Sequence, residues 1–427
     1  MKILVNRLYL VGILALTALS AQAQDTTLVT TYYDSAQLVV KEKYYVLASD
    51  STVAHGPYQK YYAEGPLATE VRFRDGQPEG WMREYYPEGA VQRKTPYRQG
   101  VKNGQVVVLS PEKDTLQTAT FRNDTLQGTL MVYYEDGIPK NKTQFVDGVP
   151  DGLIESYYPS GELREQITYQ RGEQTGPART FYEDSTLKTE MTYQQGNIEG
   201  LVTEYYPSGA VADQTHFKQG EREGASQSFS EAGQLIRDEQ YRDGFLEGAS
   251  RYYYPDGTLQ EERHHRRGEP VGEHRRFFPD GQPEVVTTYA SGGRSLKKYY
   301  ADGTLREEKQ FAGDQPLGVW KTYYPNQQLV EEQPFVAGKL QGTVTHYYED
   351  GQVKKTEEYR KGKKSKVEKT YYPSGQLQSE TAYYFGVKQG AYKAYYEDGQ
   401  VQEEGTYNGG KKVGEWVQYD EKGNEKK

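Results

Sequence analysis

An aromatic pair followed by a turn returns every 24 residues along almost the whole chain. Clear copies read YYPEG at Tyr85, YYEDG at Tyr133, YYPSG at Tyr157 and Tyr205, YYPDG at Tyr253 and FFPDG at Phe277. They continue as YYADG at Tyr299, YYPNQ at Tyr323, YYEDG at Tyr347, YYPSG at Tyr371 and YYEDG at Tyr395. Weaker copies begin at Tyr61, Phe181 and Phe229, and the slot at Leu109 keeps the spacing without the motif. One interval, Phe277 to Tyr299, is 22. Self-similarity at a fixed period of this length is the mark of a repeat architecture, and it restricts the fold before composition is considered.

Within a unit, Leu or Val stands six residues after the first aromatic (Leu163, Val211, Leu259), and Tyr or Phe stands twelve after it (Tyr169, Phe217, Tyr289). Gly follows at fifteen (Gly172, Gly220, Gly268) and again at nineteen (Gly176, Gly224, Gly272). In Y-Y-P-S-G-x-L, Pro and Ser suit the centre of a type I turn, and Gly takes the left-handed conformation that closes a three-residue hairpin loop. The flanking runs alternate as strands do. Adjacent tyrosines should then point to opposite faces, and the two glycines four apart should form the turn to the next hairpin. The expected fold is all-β: an elongated, single-layer antiparallel meander of tandem 24-residue hairpins. With strands about 4.8 Å apart, about sixteen units would run on the order of 150 Å. No long stretch shows helical periodicity.

Composition agrees with a thin structure. Hydrophobic residues are only 35% and mean hydropathy is -0.93, so a thick two-layer core cannot be filled. An aromatic content of 13% is far too rich for a disordered chain. Tyrosine, present 41 times, suits a half-wet surface because its ring packs while its hydroxyl stays solvated. Cysteine is absent, which excludes disulfides, thiolate metal sites, a cysteine nucleophile and a lipidated N-terminal cysteine.

Lys2 and Arg7 precede an apolar run from Leu8 to Leu19, and Ala21-Gln22-Ala23 ends it. This pattern is that of a secretory signal peptide, with cleavage expected after Ala23. The run is short for a membrane span, which needs about 20 residues, and no transmembrane segment is expected after cleavage. The expected organisation is a signal peptide over 1–23, a cap and divergent first repeat over 24–60, tandem repeats over 61–418, and a terminal strand and tail over 419–427. The expected location is the periplasm, cell surface or exterior. Net charge is -9, and residues 352–412 depart from it with twelve Lys/Arg against eight Asp/Glu. Nucleic acid is not an expected partner of so acidic a chain.

The segments YYPSGELREQITYQRGEQTG (Tyr157 to Gly176) and YYEDGQVQEEGTYNGGKKVG (Tyr395 to Gly414) resemble the MORN repeat, in the bacterial variant of YwqK-type antitoxin proteins. That pattern runs as an aromatic pair, an N/D/S-G turn, Leu, Glu, Tyr and G-x-x-x-G. The resemblance covers nearly all of the chain beyond residue 23. It implies protein–protein contacts and membrane or lipid association, and its antitoxin branch implies binding and silencing of a toxin protein.

Catalytic signals are weak. His264, His265 and His274 lie among Arg263, Arg266, Arg267, Arg275 and Arg276, a setting that opposes a cation, and His265 occupies the Tyr slot of its unit. Carboxylates recur in unit after unit, whereas a glycosidase pair should be unique. P-loop, G-x-S-x-G and dinucleotide fingerprints do not occur, and neither cofactor nor metal is expected. The sharpest local departure is the basic group Arg360, Lys361, Lys363, Lys364, Lys366 and Lys369, in which Lys366 replaces the second Gly. It is the candidate contact for an anionic lipid or envelope surface; the bland alternative is a solvated turn. The expected role is non-enzymatic, binding or scaffolding for a protein or envelope component. A toxin-binding immunity protein and a carbohydrate-active enzyme are the rival readings.

Overall fold

The computed structural model describes residues 25–426, which fall into two compact units divided between Glu173 and Gln174. The segment 1–23, expected to be a signal peptide, lies outside the described residues. In the first unit, strands from Thr26–Tyr32 through Leu163–Gln170 pair antiparallel, each with its successor. The second unit repeats the pattern as far as Lys411–Gln418. No helix occurs among the described residues. The chain is thus an all-β meander of tandem hairpins.

Two different turns alternate. Take the first aromatic of each pair as position 0. In the hairpin Tyr157–Leu163, Gly161 N–H donates to Tyr158 O, Tyr158 N–H donates to Glu162 O, and Gly161 sits at φ 92°. This is the expected type I turn closed by a left-handed residue. Ser185 (φ 68°) and Gln327 (φ 66°) take the same conformation without glycine's freedom. The turn between hairpins differs from the expectation. Arg360 pairs with Lys363, and the two intervening residues, Lys361 (φ 51°) and Gly362 (φ 79°), both have positive φ. That is a two-residue type I′ turn, whose twist matches the strands it joins. Only the first glycine of G-x-x-x-G belongs to it. The second lies in the following strand, beside a bulge: Thr143 faces Ile154 while Phe145 faces Pro150, which leaves two extra residues on one side. The 22-residue unit proves the count, since Val285 to Ala290 pair with Lys298 to Gly293 in unbroken register and that bulge is missing.

Cross-strand pairing defines an inner face. Positions -3 and +10 stand opposite one another, as in Ile154 with Ile167, Val202 with Thr215, Ser226 with Glu239 and Val344 with Glu357. Most of the fully buried residues belong to this single column, including Val71, Ala119, Ala178, Val202, Ser226, Ser250 and Val344. The core is one side chain wide, so small and even polar residues suffice to fill it. Rings at +12 flank the column, and Phe311, Trp320 and Phe335 pack there at centroid separations of 5.0 and 4.7 Å. Where Trp416 enters the column, Gly405 lies beneath it, and a Cβ there would come within 2.4 Å of the indole.

The adjacent tyrosines have separate duties. The first lies on the outer face, where its hydroxyl meets carboxylates: Tyr85 with Glu70 at 2.7 Å, Tyr347 with Glu332 at 2.9 Å and Tyr395 with Glu380 at 3.0 Å. The second reaches along the loop edge to the next unit, and its hydroxyl donates to the carbonyl at position 0. Tyr62 reaches Tyr85 at 2.6 Å, Tyr134 reaches Tyr157 at 2.9 Å, Tyr348 reaches Tyr371 at 2.8 Å and Tyr396 reaches Tyr419 at 2.8 Å. Each such clasp contributes about 1 kcal/mol as a hydrogen bond, and repeated along the loop edge it ties hairpin to hairpin wherever the second residue is tyrosine.

Candidate functional site

The basic group splits once it is folded. Arg360, Lys361 and Lys363 flank or form a type I′ turn and are exposed, as is Lys366 at the following bulge position, its side chain 76% accessible. Lys361 and Lys366 both take positive φ, 51° and 60°. Lys369 lies further along the strand, opposite Glu380.

Lys364 corrects the sequence reading, which placed it on the contact surface. Strand alternation turns it to the inner face, where its Nζ binds Glu357 and lies 2.6 Å from Glu368 and 5.3 Å from the centre of the Tyr383 ring. Lys355 completes the cluster at 2.6 Å from Glu357 and 3.2 Å from Glu368, and His346 approaches Glu357 at 3.3 Å. Glu357 is only 6% exposed. Burial alone would raise its carboxyl, but hydrogen bonds from Lys355 and Lys364 overcome that and hold it far below the usual carboxylate range. Burial would likewise lower Lys364, and its two glutamates reverse the sign. These charges satisfy one another and are structural.

The remaining basic residues have neighbours that sequence reasoning did not single out. In the next inter-hairpin turn, Tyr384 and Phe385 stand 66% and 58% exposed, their rings 4.6 Å apart and nearly perpendicular. Phe385 occupies the first position of its type I′ turn, at φ 47°, where the other units carry polar residues, glycine or, at Ala337, alanine, and no other aromatic. Arg360, Lys363, Lys366, Tyr384 and Phe385 together line a cleft of about 220 Å³. The available signal was the odd YYFG at the turn. Lys366 pairs with Glu358 at 3.4 Å, a contact left open to water; an exposed aromatic pair beside these exposed cations can engage an anionic group and an apolar surface together.

The histidines are packing groups. His265 and His274 lie 5.4 Å apart in the ring column, and His274 is 4.6 Å from Tyr289. Burial, followed for His265 by the charge of its neighbour His274, lowers both imidazoles below the ordinary value. A second buried carboxylate, Glu239, accepts hydrogen bonds from Tyr241 at 2.9 Å and Tyr252 at 2.7 Å, and Tyr252 is pushed up to about 12 by burial and by that bond.

No curated protein matches the chain. In solved structures, the chain aligns at 11% identity with the crystal structure of TcdB2-TccC3-Cdc42, with a TM-score of 0.15, covering 92% of this chain and 26% of that one. It aligns at 12% identity with the Photorhabdus luminescens Tc holotoxin pore carrying TccC3-D651A, with a TM-score of 0.13, covering 92% and 25%. The chain therefore spans about a quarter of the length of these solved chains. The MORN repeat variant matches residues 150–171, 174–195, 198–219, 246–266, 316–337, 340–361, 365–384 and 388–408. Each segment runs from just after one inter-hairpin turn to the next, so the family's unit and the physical hairpin coincide. With eight such segments on one recurring hairpin, the chain is a MORN-repeat protein of the variant type.

Proposed function

We propose that this chain is an exported, non-catalytic binding or scaffolding protein whose inter-hairpin turn edge at Arg360–Val387 contacts an anionic envelope surface. The observation that supports this reading is the cleft in which Arg360, Lys363 and Lys366 stand beside the exposed Tyr384 and Phe385. An apolar aromatic pair in water is unfavourable unless something covers it, and the nearby cations favour a negatively charged cover. Export is read from the charged and apolar N-terminus.

The test is co-sedimentation with vesicles of phosphatidylglycerol and phosphatidylcholine. Replacing Lys361, Lys363 and Lys366 with Gln and Phe385 with Ser should weaken binding by roughly a factor of ten or more, at about 1 kcal/mol per charge near the surface. Salt should weaken the wild type as well, because exposed charges are screened within about 10 Å at 0.1 M. Wild-type protein that ignores these vesicles at low salt would exclude an anionic lipid surface.

A further inference from the structure

The clasp tyrosines expose a vacancy. Among the described pairs, the second residue is not tyrosine at Ser110, Ser230, Phe278 and, in the terminal partial unit, Asp420. Between this unit and the next lies a cleft of about 740 Å³, lined by Val108, Leu116, Val132, Tyr133, Tyr134 and Lys140 among others; Ser110, itself buried, stands behind it and is not part of its lining. Tyr86 donates to Leu109 O at 3.0 Å and Tyr134 to Tyr157 O at 2.9 Å, each 23 residues ahead, so the same step from 110 ends at Tyr133 O. The residue at +7 covers the clasp ring of its own unit, as Lys140 covers Tyr134 at 5.4 Å and Lys354 covers Tyr348 at 5.5 Å. At this unit that residue is Leu116, and it faces the cleft instead. Ser110 is too short to fill the space, and its Oγ accepts the Asp114 N–H at 3.1 Å.

We propose that the cleft at Ser110 binds a tyrosine side chain of a partner polypeptide, in the place that the chain's own clasp tyrosines fill in other units. The ring lies between Leu116 and Val132, and the phenol donates to the Tyr133 carbonyl. The chain itself supplies the template for the occupant: a para-substituted phenol entering from the loop edge. A volume within the usual range of ligand sites, about 300–1,000 Å³, leaves room for the flanking peptide. The proposal rests on the reading of the chain as a binding protein, and it names a second contact with different chemistry from the basic turns.

The probe is N-acetyl-tyrosinamide, compared with N-acetyl-phenylalaninamide by saturation-transfer NMR on the full chain. The tyrosine compound should give a signal several-fold above the phenylalanine compound. S110Y, which restores the chain's own ring, should reduce it to background and raise the melting temperature. L116Q is the second variant: Gln holds the +7 position at 92, 260, 378 and 402, so folding is retained, and binding should weaken several-fold. Absence of binding to the wild type, or equal binding by a folded S110Y, overturns the proposal. S110Y leaves the turns at 360–387 intact, so vesicle binding and tyrosine binding fail separately.

Discussion

Deleting Phe229–Tyr252, one whole unit of 24 residues, is expected to leave a folded chain that melts within roughly 5 °C of the parent. The junction joins Ser228 to Tyr253, so every later residue keeps its position number, its face and its turn. Tyr206, which now donates to Phe229 O at 2.8 Å, would find Tyr253 O in the same place. The deleted unit is one that lacks its own clasp, because Ser230 stands where tyrosine would. Glu239 leaves together with its partners Arg237, Tyr241 and Tyr252, while Asp213 stays and loses the Arg237 guanidinium 3.1 Å away, a partly exposed pair whose loss costs little. Deleting only Phe229–Gln240, twelve residues, removes one loop and most of one strand. Each following strand would then have to reverse direction, and the inner column would lose its opposite members. That variant should melt more than about 10 °C lower, or be cut at the junction by protease at concentrations that spare the parent.

Glu357→Gln should cost about 2–3 kcal/mol in urea unfolding. The substitution leaves Lys355 and Lys364 on the inner face with one carboxylate, Glu368, between them. Breaking a fully buried pair costs about 3–5 kcal/mol; both lysines retain partial access to water, at 31% and 27%, which lowers the figure. The pH dependence has a defined sign. The Glu357 carboxyl lies below the ordinary value of 4.5 in the folded chain, so the unfolded chain takes up its proton first. Its contribution is fully present above about pH 4.5 and is lost progressively as pH falls below that. The gap between wild type and E357Q should therefore narrow toward pH 3.

The hairpin loop, the strand alternation and the repeat length were all legible, because Pro, Ser or Asp, and Gly act locally and recur at fixed spacing. The second turn was misread for a physical reason. Gly172 and Gly176 look alike in sequence, yet Gly172 closes a type I′ turn while Gly176 lies in the following strand. The clasp was hidden because a hydroxyl reaching a carbonyl 23 residues ahead depends on how hairpins stack, not on local pattern. Lys364 was assigned outward by charge, whereas alternation from Lys363 places it inward beside Glu357. Phe385 is legible in the sequence as an aromatic in an inter-hairpin turn, whereas its left-handed backbone and its edge-on contact with Tyr384 are not.

The central claim, that the turn edge at 360–387 is the binding surface, is tested most directly by capture from solubilised envelope. Immobilised wild-type protein and the variant with Lys361, Lys363 and Lys366 changed to Gln and Phe385 to Ser would be exposed to the same fraction, and the bound lipid and protein quantified. The account expects anionic lipid to be enriched on the wild type and to fall at least several-fold on the variant, with both proteins equally folded by circular dichroism. Equal capture of anionic lipid by the two proteins would contradict it.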